Sequence, residues 1–444
     1  MKNLQKGDKK LLNAWAFYDW ANSVYSLTIA SAVFPIFYEA LFSKRDHYID
    51  VFGLHLKNSA LISFTTAFAF LVVSFISPLL SGIADFVGNK KAFMKFFCYL
   101  GAISCIGLYW FSLENIYIGL GFYFLGLIGY WGSLVFYNSY LPDIAFEEQQ
   151  DSISAKGYSL GYIGSVILLL LNLAMIMKPD WFSIQGTATE SASDVAMRYS
   201  FVMVGVWWVL FSQYTYYYLP KGSKETGEKL TKAVIFNGFK ELKKVWALLN
   251  ENIPLKRYLG GFFVSSMAVQ TVMLVATYFG AQEIKWSSKE ESTIGLIICI
   301  LIIQLVAIIG AVLTSKASAK FGNIPTLIAI NGIWVVFCAL AFFITLPIHF
   351  YVMATVAGFV MGGIQALSRS TYSKLLPETE DTTSFFSFYD VAEKIGIVIG
   401  MCVYGIIDQR TGSPRAAIVI LGLFFLTAIF LLRRVPKKDT IKVS

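Results

Sequence analysis

The chain has 444 residues, 56% of them hydrophobic, 16% aromatic and only 14% charged, with mean hydropathy +0.62 and a formal net charge of +8. A soluble globular domain carries about 25% charged residues, so composition excludes that class and points to a chain solvated mostly by lipid. Spans of ~20 apolar residues would use nearly the whole length, which leaves no room for a soluble catalytic domain, and no enzymatic activity is expected.

Lysines at 2, 6, 9 and 10 precede the first apolar run and no small-residue cleavage site follows, so no signal peptide is expected. Runs long enough to cross a bilayer lie at 17–42, 59–84, 93–113, 116–140, 157–178 and 197–219. After a polar stretch they resume at 258–281, 292–315, 324–346, 350–376, 385–408 and 415–433. Their continuity predicts helices, because barrel strands would alternate over about ten residues. The expected organisation is a six-helix bundle over 1–220, a cytoplasmic linker over 221–257 and a second six-helix bundle over 258–444. With the N-terminus inside, 26 of the 36 Lys and Arg residues fall on the inner side and 9 outside. The positive-inside rule then puts both termini in the cytoplasm, and the expected location is the bacterial cytoplasmic (inner) membrane, as a multi-pass protein. The net charge reports this bias, and no nucleic-acid partner is expected.

Within the linker, Val234, Ile235, Leu242, Val245, Trp246 and Leu249 can share one face of a helix while lysines hold the other, a pattern suited to the membrane interface. The segment 222–229 has a superficial likeness to a phosphate loop, but Lys does not follow its second Gly and no strand precedes it. ATP-driven transport is rejected on that ground. The five cysteines fall inside apolar runs without paired spacing and read as small buried hydrophobes. The three histidines, His47, His55 and His349, fall in predicted outer loops, so no metal or other cofactor is expected.

An internal repeat carries the architecture. Ser81-Gly82-Ile83-Ala84-Asp85-Phe86-Val87-Gly88-Asn89 after the second span aligns with Ser315-Lys316-Ala317-Ser318-Ala319-Lys320-Phe321-Gly322-Asn323 after the eighth, at an offset of 234. Leu141-Pro142-Asp143 after the fourth span aligns with Leu376-Pro377-Glu378 after the tenth, at an offset of 235. Each half holds six spans, an even number, so the halves share one orientation about an axis along the membrane normal. A solute site then belongs between them near mid-membrane.

Asp85, Gly88, Lys90 and Lys91 resemble the loop signature between helices 2 and 3 of the major facilitator superfamily, with Ser81 standing where its first Gly belongs and Phe86 where its Arg belongs. Three further stretches are similar to the vacuole-effluxer-like branch of that superfamily. They are Trp15-Ala16-Phe17-Tyr18-Asp19-Trp20-Ala21-Asn22-Ser23, Gly362-Gly363-Ile364-Gln365-Ala366-Leu367-Ser368-Arg369-Ser370 and Ser384-Phe385-Phe386-Ser387-Phe388-Tyr389-Asp390. The resemblance runs over nearly the whole chain. It implies an all-α membrane protein of the major facilitator fold with 12 helices, a cavity lined by helices 1, 4, 7 and 10, and secondary active or facilitative transport. Amino acids are the implied solutes, because eukaryotic members are associated with their export. It also implies that Asp85 faces the N-terminus of helix 11 and latches the halves on the inner side, with Gly88, Lys90 and Lys91 completing the gate. Ala319 stands at the matching place in the second half, so only one latch is expected to have its acid.

Polar residues in spans are the candidates for solute contact, since mid-bilayer placement of an ionisable group costs ~2.5–3.5 kcal/mol or more. The tenth span shows Gly358, Gly362, Gln365, Arg369 and Tyr372 at helical spacing. Arg369 either meets a solute carboxylate or is neutralised by Glu393 of the eleventh span, where Asp390 and Lys394 form an i,i+4 pair. Asp19, Asp390 and Glu393 are the candidates for proton coupling, although Asp19 could equally be a first-turn acid near the interface. Asn22, Ser26, Tyr130, Tyr137 and Gln270 complete the expected cavity wall. The expected partners are a small polar solute, protons and lipid, with the chain acting as a monomer. A receptor that binds without moving its ligand and a lipid translocator are the competing readings.

Overall fold

A computed structural model describes residues 4–42, 48–51, 53–187, 190–222, 232–411 and 414–436. Residues 223–229 of the segment with a phosphate-loop likeness, and His47, lie outside the described residues. Among the described residues, eleven helices are long and apolar enough to cross a membrane.

Helix α1 runs from Lys9 to Phe42, passing through a π-helical stretch at Tyr25–Ala32 where the Ser31 hydroxyl donates to the Ser26 carbonyl at 2.9 Å. A two-stranded antiparallel hairpin follows, β1 (Tyr48–Val51) and β2 (Leu54–Lys57), with Tyr48 opposite Lys57. This hairpin falls in what the sequence suggests is only a loop. Next come α2 (Asn58–Val87), α3 (Lys90–Gly107), α4 (Ile116–Ser139), α5 (Glu147–Met177) and α6 (Ala192–Tyr218). The linker contributes α7 (Lys232–Glu251). The rest is α8 (Ile253–Glu283), α9 (Lys289–Phe321), α10 (Asn323–Ala341), α11 (Pro347–Leu375), α12 (Thr382–Thr411) and α13 (Pro414–Leu432).

Helix α12 coincides with the expected span 385–408 and has 30 residues, but its middle carries Asp390, Glu393 and Lys394, and it stands outside the eleven. Several helices also outrun their apolar cores. Helix α1 begins at Lys9 rather than 17, and α5 at Glu147 rather than 157, because polar turns continue the helix beyond the membrane-length stretch.

Buried apolar side chains sort into two main clusters. One gathers α1 to α6, from Leu11 to Leu219, and the other gathers α8 to α13 with Val245 and Leu249 of α7. The halves meet where α5 packs on α9 and α11, and where α2 and α4 pack on α12. Glycines let the second half close tightly. A Cβ on Gly358 would meet the Ile303 carbonyl oxygen at 2.6 Å, and one on Gly362 that of Ala307 at 2.1 Å, so these two pack α11 against α9 and do not face a cavity.

The linker helix packs on α2, with Val245 and Leu249 buried, while Trp246 is exposed with its ring 5.4 Å from Phe388 of α12. The side chains of Val234, Ile235 and Leu242 lie outside the described residues.

Candidate functional site

The site begins at the corner between α2 and α3. Gly88 has φ +70°, a left-handed conformation that glycine adopts without cost, and the Asn89 amide turns back to the Ala84 carbonyl at 3.2 Å. Asn89 then caps α3, accepting from the Ala92 amide at 3.3 Å. The two-residue corner leaves Asp85 on the last turn of α2 and aims it at the other half. Its Oδ2 accepts from the Ser384 amide at 2.7 Å and its Oδ1 from the Thr383 amide at 3.3 Å. These are orphan amides at the start of α12, where partial positive charge favours a carboxylate. Lys90 is buried: its ammonium pairs with Asp143 and donates to the Ser139 carbonyl and the Thr382 hydroxyl, both at 3.0 Å. Lys91 donates instead to the Leu219 carbonyl at 2.7 Å, stitching α3 to α6 inside the first half.

At the corresponding corner of the second half Ala319 holds the matching place, yet an acid still reaches it. Gly322 again has positive φ (+88°), and its amide bonds the Ser318 carbonyl at 2.8 Å. The acid that Ala319 lacks comes from across the interface. Asp151, in the second turn of α5, accepts from the Ser318 hydroxyl at 2.8 Å, the Asn323 amide group at 2.9 Å and the Lys374 ammonium at 2.7 Å.

Between these corners and mid-membrane, Arg369 crosses from α11 into the first half. Its Nε donates to the Ser154 hydroxyl at 2.9 Å, and Nη2 to the Ser154 carbonyl at 2.9 Å. Nη1 and Nη2 both reach Asp19 Oδ2 at 3.2 Å, and Nη1 also reaches Asn138 at 3.3 Å. All five guanidinium donors are thereby used. The Trp15, Tyr137 and Tyr158 rings surround it at 4.8, 5.5 and 4.2 Å. The sequence offered Glu393 as the partner, and the structure gives Asp19. Asp19 is no first-turn acid either: α1 starts ten residues earlier, so it sits ~15 Å inside the helix at 1.5 Å per residue.

Helix α12 carries its own charge cluster. Lys394 is fully buried, donates to Asp390 Oδ1 at 2.5 Å and Glu393 Oε2 at 3.1 Å, and lies 3.5 Å from the Trp131 ring centroid of α4. Glu393 Oε1 accepts from Gln270 at 2.9 Å. Gln365 accepts from the Tyr162 hydroxyl at 2.6 Å. Tyr130 stacks on Tyr25 at 4.9 Å and Tyr137 donates to Asp19 at 2.9 Å. Ser26 is half-buried and donates to the Ser23 carbonyl, whereas Asn22 is fully buried with its amide nitrogen unpartnered. Tyr372 is not a wall residue: it is fully buried in the second half, donating to the Phe385 carbonyl at 2.5 Å against the rings of Phe386 and Tyr389.

Sequence reasoning missed Asp151, Ser154 and Gly157. A Cβ on Gly157 would lie 2.5 Å from Asp19 Oδ2, one on Gly161 2.4 Å from the Ser23 hydroxyl, and one on Gly164 2.9 Å from the Trp20 carbonyl. The small-residue spacing 157, 161, 164 was the available signal, a pattern that lets two membrane helices approach closely.

Two helical bundles tied at one end, with charged and polar side chains between them, define a membrane transport protein of the major facilitator type. Solved structures agree on the fold. The chain superposes on the fucose:proton symporter FucP in its outward conformation with TM-score 0.70, at 14% identity over 97% of this chain and 99% of that one. It superposes on the proton:xylose symporter XylE with TM-score 0.64, at 16% identity over 96% and 95%.

The chain belongs to the Atg22-like vacuole effluxer family, whose model matches residues 7–442. It is similar to the MFS-type transporter YxiO of Bacillus subtilis, 29% identical over 99% of this chain and 98% of that one. It is also similar to autophagy-related protein 22 of Eremothecium gossypii, 22% identical over 94% and 88%.

Proposed function

We propose that this transporter carries small polar or zwitterionic solutes, amino acids foremost, across a bacterial inner membrane by alternating access, acting as a monomer. The carrying observation is the placement of the bonds between halves. Those of Asp85, Lys90, Asp151, Ser154 and Arg369 all lie toward the end of the bundle where α2 meets α3 and α11 meets α12. With both termini cytoplasmic, that end is the inner one, and this conformation is closed to the cytoplasm. Above the closed layer, half-buried Ser23, Ser26, Tyr158, Gln270, Gln365 and Glu393 come from α1, α5, α8, α11 and α12 and offer the hydrogen-bonding wall a polar solute needs. A solute carboxylate that reaches Arg369 displaces Asp19, since no donor is spare, and thereby loosens a tie between the halves. The family's description as a vacuole effluxer supports the transport reading, and amino acids are the cargo that the sequence resemblance implies. Counterflow of labelled amino acids into liposomes holding the purified chain tests it. Saturable flux of at least one amino acid is expected; binding by thermal shift with no flux would turn the reading into a receptor.

A further inference from the structure

We infer that Asp390 takes up and releases one proton as the halves move, with Lys394 as the positioning residue that links its charge to the opposite half. The inference deepens the transport reading and rests on it for the meaning of coupling, while the proton site itself can be measured without any solute. Two carboxylates share one ammonium here: Lys394 serves Asp390 through Oδ1 and Glu393 through Oε2. Gln270 satisfies the remaining oxygen of Glu393. Asp390 Oδ2 is buried and has no hydrogen-bond partner. With all three groups ionised, the cluster carries one negative charge in excess, inside a low-dielectric layer where such a charge is costly.

Among the described residues, no neighbouring element offers the missing positive charge. From α2, Asp85 is bound to the first amides of α12. From α4 come Tyr130 and Trp131, and from α8 Gln270 and Tyr258, whose hydroxyl donates to the Ser368 carbonyl. Lys244 of α7 pairs with Asp381, and Arg415 of α13 with Glu283. Arg369 is neutralised by Asp19. A metal ion would need several free oxygens, and Asp390 presents one, closed off from solvent. A proton fits there without moving any side chain. Bound to Oδ2, it turns the carboxylate into a neutral acid and leaves Lys394 to neutralise Glu393; on release, the carboxylate regains its claim on the ammonium and the proton leaves to the water that movement of the halves admits.

The link to movement is Trp131. The ammonium lies over a ring that belongs to the first half, and a cation gains from an aromatic face when desolvated. When the halves swing apart at this level, Lys394 loses that face and depends more on Asp390, which favours the ionised acid and hence proton release. By reciprocity, protonation of Asp390 favours the arrangement with Trp131 in place.

Difference infrared spectroscopy on the purified full chain in lipid, across a step from mildly alkaline to mildly acidic pH, reads the carboxylic-acid C=O stretch directly. The wild type should gain one such band. Asp390→Asn should abolish it, Asp390→Glu should move its frequency, and Glu393→Asp should leave its frequency in place. Trp131→Leu should shift its midpoint to lower pH. A band that survives in Asp390→Asn, or that moves in Glu393→Asp and not in Asp390→Glu, overturns the assignment, and a midpoint unmoved by Trp131→Leu overturns the link to the other half. If Asp390→Asn does not fold, the pair of Asp/Glu exchanges decides alone. A chain that shows the band and transports no amino acid keeps this site and loses the proposed cargo.

Discussion

Arg369 stands between two halves of the chain that are 350 positions apart at its contact with Asp19, and that separation explains why sequence reasoning, weighing a solute carboxylate against Glu393, did not reach this partner. Charged residues in spans are conspicuous, so both were singled out; the neighbour in sequence, Glu393, was the only partner that spacing could suggest. The correction changes the expected rescue. Arg369→Gln leaves Asp19 buried without its counter-charge, a loss of ~3–5 kcal/mol for a fully buried pair. Adding Asp19→Asn should restore most of the melting temperature in detergent, whereas adding Glu393→Gln should not. Gly157→Ala should mimic the loss of the pair in milder form, because its Cβ would sit 2.5 Å from Asp19 Oδ2 and 3.0 Å from Arg369 Nη2, and a lower melting temperature checks it. Arg369→Lys should fare worse than charge alone suggests, since one ammonium cannot replace five donors shared among Asp19, Ser154 and Asn138.

Among the elements, the corner at Asp85–Lys91 was legible because its residues are local: a glycine for the turn, a cap, an acid one helical turn before the end. Its counterpart at Gly322 was legible as a corner but not as a latch, since Asp151 arrives from α5 and no repeat offset points to it. Eleven of the predicted spans fall on helices apolar enough to cross for a similar reason, an apolar run being readable without knowledge of its neighbours, while the polar turns extending α1 and α5 were not. The two latches make a joint prediction. Each contributes a few tenths to ~2 kcal/mol by charge at a helix end or by a partly buried ion pair. Asp85→Ala and Asp151→Ala should each raise thiol labelling of single cysteines placed on the cavity wall beneath the closed layer, and the double variant should raise it further than either. Labelling unchanged in all three would leave these acids as ordinary loop contacts.

For the molecule as a whole, all of these ties fall at one end, so opening there means breaking them together while the far end closes. Orientation then decides which compartment the present conformation faces. Reporter fusions after Gly222 should read as cytoplasmic and fusions after Ser288 as external; the same reading at both sites would show that α8 does not cross. The two latches also differ in what they demand of inheritance. Asp85 grips main-chain amides, which every residue except proline provides, so the grip itself does not depend on which side chains stand at 383 and 384. Asp151 grips three side chains, Ser318, Asn323 and Lys374, and a change at any of four codons weakens it. Random mutation should therefore erode the second fastening sooner than the first, and descendants of this sequence should differ more in how firmly that side is shut.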